Sequence, residues 1–129
     1  MFSGTGPDGL PCPVGHTRIP VARCNNIYIF PGIGLAVTAV RATRVTDAMM
    51  TAAAAAVSDA ATIRHDPHGT LLPDRAQLAG TATAVARAVA KAAVADAVAP
   101  ALTDDQIDQA IDRIRWLPRY QPDHRVVSR

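Results

Sequence analysis

Aromatic residues are scarce in this sequence: Phe2, Tyr28, Phe30, Trp116 and Tyr120 are the full set in 129 residues. Nearly half of the chain is apolar, but most of that share is Ala and Val. Alanine helices approach closely, yet each side chain buries little area, so one thin core is expected for this length. Thiols are also few. Cys12 and Cys24 form neither a disulfide framework nor a Cys-x-x-Cys pair, which fits a reducing compartment. Charge of either sign is modest, with a formal net of +2. The basic residues are dispersed rather than clustered, which argues against a nucleic-acid partner. The start, Met-Phe-Ser-Gly-Thr-Gly, has no basic or apolar leader segment, so no secretion signal is expected and a cytoplasmic location is. The longest uncharged run lies between Arg23 and Arg41. It opens with two Asn, contains Pro31 and falls short of the ~20 residues that cross a bilayer. It reads as a buried protein helix, and no membrane partner is expected.

Within that run lies the stretch that organises the chain, Cys-Asn-Asn-Ile-Tyr-Ile-Phe-Pro-Gly-Ile-Gly-Leu over residues 24–35. Asn25 and Asn26 each carry an acceptor oxygen and a two-proton donor that need partners. Two roles fit a polar pair at the mouth of an apolar segment. One is a cap on the free N–H groups of the next helix. The other is contact with a small polar ligand. Chemistry alone favours the cap.

Residues 1–17 are rich in Gly and Pro and read as loop. Gly4, Gly6 and Gly9 spell G-x-G-x-x-G, but almost no chain precedes them and Pro11 and Pro13 follow, so the strand and helix of a dinucleotide site are missing. Residues 18–23 read as a short extended segment, held to a sheet edge by Pro20. A helix is expected from about Pro31 to Ala42, with Pro31 in its first turn. Gly32 and Gly34 each weaken it by about 1 kcal/mol relative to Ala, which suits either tight helix packing or close approach by another backbone or a ligand. Thr46 is a good N-cap, and Asp47 complements the dipole of a helix running to about Ala61. Met49, Ala53 and Val57 fall on one face of that helix, with the Met pair as core filler.

Residues 62–74 read as a loop. His65, Asp66 and His68 sit close together there, but three groups on one loop, without a second cluster, do not define metal geometry. A long helix is expected over residues 75–97, with Leu78, Ala82, Val85, Val89 and Ala93 as its apolar stripe. Arg87 and Lys91 lie on another face, toward solvent or a partner subunit. Thr103 and Gln106 form a T-x-x-Q capping box for a last helix, with Asp104 and Asp105 at its start. Ile107, Ile111 and Ile114 are expected to be its buried edge. The tail from Arg119 is polar and basic.

No catalytic set emerges from the residues. There is no nucleophile elbow with a Ser-His-Asp arrangement, and the carboxylates cluster only between Asp104 and Asp112, on the outside of a capped helix.

From Asn25 onward, however, the chain resembles the C-terminal part of malic enzyme, the NAD-dependent decarboxylating malate dehydrogenase. The resemblance is carried by residues 24–35, by Arg44-Val45-Thr46-Asp47 with Met49 and the Ala-rich helix, by Leu71-Leu72-Pro73, by residues 85–91, and by Trp116-Leu117-Pro118-Arg119-Tyr120. These pieces keep the family's order and spacing. The last is similar to the large NAD-preferring bacterial and mitochondrial type. The resemblance implies oxidation of (S)-malate by NAD with loss of carbon dioxide to give pyruvate, assisted by Mg or Mn. It implies a fold class that is mostly α, a fragment of an α/β (Rossmann-like NAD-binding) domain, with one short strand followed by about four helices. Residues 1–25 would be the tail end of the NAD-binding α/β domain, 26–100 a helical segment beside the active site, and 101–129 a C-terminal helix and tail.

In the family the Asn pair lies beside malate and the nicotinamide. Carried over, Asn25 and Asn26 would bind the substrate carboxylate or the nicotinamide ribose. The family's acid-base Tyr and Lys, its three metal carboxylates and its dinucleotide glycines lie upstream and have no counterpart here. Its Thr-Gly-Ser-Pro-Phe segment is replaced by Thr5-Gly6-Pro7-Asp8-Gly9, and a helix Gly of many members is Ala36. The expectation is therefore no catalytic or metal-binding residue in this chain, an inactive isolated piece, and as partner an upstream malic-enzyme polypeptide or a second copy. The alternative is a non-catalytic helical assembly or binding module.

Overall fold

The computed structural model describes the backbone of residues 12–14 and 17–19 and the full residues 24–115. The first described elements are two three-residue strands, β1 (Cys12–Val14) and β2 (Thr17–Ile19). They pair antiparallel, with Cys12 opposite Ile19 and Val14 opposite Thr17. A single extended segment beginning at Arg18 was expected, with loop before it, so β1 is a correction. Strands this short show no period-2 pattern, and Pro13 reads as a breaker. In a two-stranded sheet both strands are edges, where proline is tolerated.

Among the described residues four helices follow: α1 (Phe30–Val40), α2 (Asp47–Asp59), α3 (Leu78–Ala95) and α4 (Asp104–Ile114). Each boundary has a local cause. Pro31 sits in the first turn of α1, where its missing N–H costs nothing. α1 ends at Arg41, which adopts the left-handed conformation at φ 53°. Thr46 caps α2 by accepting from the Met49 N–H at 3.2 Å. Asp74 caps a 3-10 turn over Arg75–Gln77 that leads into α3. α3 is thus shorter at both ends than expected. At its C-terminus the chain turns at Ala97, again left-handed at φ 53°, before Pro100 is reached. Val98 is then 5% exposed, its side chain in the core. On α4 both halves of the capping box are made: the Thr103 hydroxyl accepts from the Gln106 N–H, and the Gln106 side chain accepts from the Thr103 N–H.

α3 is the central helix, and α1, α2 and α4 all pack on it. By length and composition the Arg75–Ala95 segment could cross a membrane. In this fold Val85, Ala86, Val89, Ala90 and Ala93 are instead fully buried against the neighbouring helices. The stripe expected on α3 is therefore present, with Leu78 and Ala82 at its half-buried margin. Met49, Ala53 and Val57 supply the inner face of α2 as expected. Ala36, Ala53, Ala86, Ala90 and Ala93 have no exposed surface, so helix backbones lie close together.

On α4, Ile107 and Ile111 are buried in this same core, but Ile114 is 42% exposed and does not continue the edge. Arg115, one residue later, leaves helical geometry at ψ 111°. Arg87 and Lys91 are exposed to solvent, as expected, and they also pair with α4: Arg87 Nε lies 2.6 Å from Asp108, and Lys91 Nζ 2.6 Å from Asp104. With Arg115 donating to Thr83 at 3.4 Å, the pairings run 91 to 104, 87 to 108 and 83 to 115. α4 is therefore antiparallel to α3. α1 runs parallel to α3, since Gly32 faces Ala82 and Val85 while Thr43 bonds to Val98.

Candidate functional site

The candidate site is the entrance to α1. Asn25 is extended (φ −147°, ψ 150°), and its side-chain oxygen accepts from the Ile27 N–H at 3.1 Å. It caps a 3-10 turn over Asn26–Tyr28, which passes directly into α1 through the Ile33 N–H to Ile29 carbonyl bond at 3.1 Å. The capping role thus belongs to Asn25. Asn26 opens the turn. Its backbone carbonyl accepts from the Ile29 N–H at 3.0 Å, while its side chain is exposed and makes no hydrogen bond among the described residues. That carboxamide keeps two donors and an acceptor available to a ligand.

Two contacts hold this entrance against α3. Tyr28, at 8% exposure, is the one aromatic side chain in the core cluster of the described residues, and it anchors the turn. One turn further on, a Cβ at Gly32 would lie 2.5 Å from the Val85 side chain and 2.8 Å from the Ala82 carbonyl. Gly32 is there because α1 and α3 touch backbone to side chain at that point. Gly34 is different: a Cβ there would meet nothing within 4 Å. The sequence treats the two glycines alike, and only the crossing of α1 over α3 separates them. Tyr28 could have been found as the single aromatic on an otherwise exposed turn.

The histidine loop is built from its own hydrogen bonds. The Asp66 carboxylate accepts from the His68 N–H at 2.9 Å, and the Thr70 hydroxyl donates to the Leu72 carbonyl at 2.6 Å. Gly69 packs against the Thr62–Ile63 backbone, where a Cβ would come within 2.6 Å. His65, Asp66 and His68 are all exposed. Among the described residues no three metal-binding side chains come together. Along α3, the Arg87 guanidinium is held above the ordinary arginine pKa, first by its hydrogen bond to Asp108 and then by the charge of that carboxylate. This is a structural pair between helices. The G-x-G-x-x-G letters at Gly4, Gly6 and Gly9 and the Trp116–Tyr120 element lie outside the described residues.

Comparison with known proteins bears on what this entrance belongs to. The family model for the malic enzyme NAD-binding domain matches residues 2–94. The chain belongs to the malic enzyme family. An NAD-dependent malic enzyme of Pseudomonas aeruginosa (strain LESB58) is 54% identical over 69 residues, which is 54% of this chain and 12% of the relative. That of Edwardsiella ictaluri is 58% identical over 57 residues, 44% of this chain and 10% of the relative. That of Aeromonas hydrophila is 41% identical over 83 residues, 64% of this chain and 15% of the relative. The chain thus spans between a tenth and a seventh of the length of these malic enzymes. The matched region of the family model holds the Asn pair, α1, α2 and nearly all of α3, while α4 lies beyond it.

Proposed function

We propose that this chain supplies one wall of a malic enzyme active site, in which (S)-malate is oxidised by NAD and decarboxylated to pyruvate. The observation that carries the reading is the Asn25-Asn26 entrance. One Asn is spent on the cap, and the other is held beside it with a free carboxamide. Asn26 is then the ligand-contacting residue, donating to the malate carboxylate or to the nicotinamide ribose. Asn25 is the positioning residue that fixes the turn. Tyr28 and Gly32, by holding the turn on α3, keep Asn26 in place. NAD, when bound, accepts the hydride. This chain's residues bind and orient.

A divalent metal does not fit the described residues, whose acids are spread along helices and loops rather than gathered. The metal carboxylates, like the acid-base Tyr and Lys of the family, would come from an upstream malic-enzyme polypeptide. Without them neither hydride transfer nor decarboxylation has its chemical groups. On the same reading, residues 1–25 close the nucleotide-binding fold and 26–100 lie beside the active site.

The test is malate-dependent NAD reduction in the presence of Mn. The purified chain alone is expected to show none, and turnover by it would refute the proposal. Co-expressed with the upstream portion of a related malic enzyme, it is expected to restore turnover. Asn26→Ala then lowers that turnover about 10- to 100-fold, the effect of losing a hydrogen bond to a charged group. The competing reading, a helical assembly module without ligand, predicts self-association by light scattering and no heat on titration with NAD.

A further inference from the structure

We infer that α4 acts as a strap beside the opening turn of α1, and that Ile111 is a positioning residue through which it keeps the Asn26 carboxamide in place. This rests on the function proposed above. No side chain caps α1, and it carries no charged residue from Phe30 to Val40. Its close contact with α3 is made at Gly32, which admits the Val85 side chain and the Ala82 carbonyl. A glycine allows that approach but has no side chain to interlock with its neighbour. At this height the lateral position of α1 is therefore set by what stands beside it.

α4 stands there, packed on both α1 and α3. Its height along α3 is fixed by the Lys91–Asp104 and Arg87–Asp108 pairs, each at 2.6 Å, and by Arg115 donating to Thr83 at 3.4 Å. The two pairs are exposed, so they set register more than they add stability. Between antiparallel helices these pairings place Ile111 level with Val85, the residue that Gly32 meets. Ile111 is 2% exposed and belongs to the same core cluster as Tyr28, Ile33 and Val85. Ile107, also buried, lies one turn farther along, toward Lys91 and the middle of α1. The Ile33 N–H to Ile29 carbonyl bond joins the Asn26–Tyr28 turn to α1, so a shift of the first helical turn carries Asn26 with it. α4 lies beyond the residues that the family model matches, so a segment outside that match shapes the entrance.

Two measurements on the full chain test this. The first is amide exchange of the chain alone. Relative to the Met49 N–H at the other end of α3, Ile111→Ala is expected to speed exchange of the Ile27 and Ile29 N–H groups about tenfold, and Ile107→Ala less than about threefold. Equal acceleration by the two variants, or none by Ile111→Ala, overturns the inference. The second is malate-dependent NAD reduction by the chain co-expressed with the upstream portion of the Pseudomonas aeruginosa malic enzyme. Ile111→Ala is expected to lower kcat/KM about 10- to 100-fold, as misplacement of a contact does, with Ile111→Val restoring most of it and Ile107→Ala staying near wild type. Equal losses at the two isoleucines overturn the inference. Where an Ala variant does not fold, Ile111→Val and Ile107→Val are compared in both measurements, with the same order of effects expected and no difference overturning it. A wild-type pair without turnover rejects the function reading, and amide exchange then decides by itself whether α4 positions the turn.

Discussion

α1 and α4 are equal in length, eleven residues each, and opposite in how they are specified. α4 carries its own instructions. It has a capping box, two acids in its first turn, an isoleucine pair on one face and carboxylates that meet Arg87 and Lys91 on α3. α1 has almost none of these. No side chain caps it, it has no charge, and two of its residues are helix-weakening glycines. It is a helix because Tyr28, Ile33, Ala36 and Val40 are buried on α3 and its neighbours. Local signals suffice for a helix that sits on the outside of a core. A helix without caps or charges is specified by what it packs against.

This contrast can be broken in several places. The largest effect is expected at Ile107, 1% exposed, where Ile107→Ala removes half of the apolar anchor of α4. It should cost about 2–5 kcal/mol in urea unfolding. A loss under 1 kcal/mol would show that α4 is held by its charges instead. Next comes Gly32→Val, which forces a side chain into Val85 and should cost about 1–3 kcal/mol. Gly34→Ala is the paired control. It should raise stability by about 1 kcal/mol, because only helix propensity changes. If both glycine variants destabilise equally, the two positions are not distinct.

Thr103→Ala should cost about 1 kcal/mol and appear first as faster amide exchange in the first turn of α4. The smallest effect is Lys91→Ala, at about 0.2–1 kcal/mol for an exposed pair, and it should shrink as salt is added. Salt rather than pH is also the probe for Arg87. Its pKa is raised in the folded state, so its contribution is complete below the ordinary arginine value and is lost only at strongly alkaline pH.

Much of this was legible in the chain, and the exceptions have physical reasons. The Thr46 cap, the Thr103–Gln106 box and the Met49, Ala53, Val57 face depend on residues within two turns of each other, and they fold as read. The hairpin escaped notice because a three-residue strand has no measurable period and Pro13 looks like a breaker. The partners of Arg87 and Lys91 lie thirteen to twenty-one residues away on α4, beyond any local pattern. Ile114 satisfies the helical spacing yet is exposed, in the last turn before Arg115 leaves helical geometry. At the candidate site, sequence chemistry offered Asn25 and Asn26 one role each way. The structure gives the capping hydrogen bond to Asn25 and leaves the Asn26 side chain exposed.

One feature far from that site ties distant parts of the chain together. The Thr43 N–H and hydroxyl both donate to the Val98 carbonyl, and the Thr46 hydroxyl donates to Asp96. These bonds join residues 50 and 55 positions apart, so they close a ring of backbone containing all of α2, the histidine loop and α3. Closing such a ring carries an entropy cost that the local caps never meet. The link between α1 and α2 is thereby tied to the C-terminal end of α3 by three hydrogen bonds. A truncation just after Ala95 would remove no residue of α2, yet it would remove the partners of both Thr43 and Thr46.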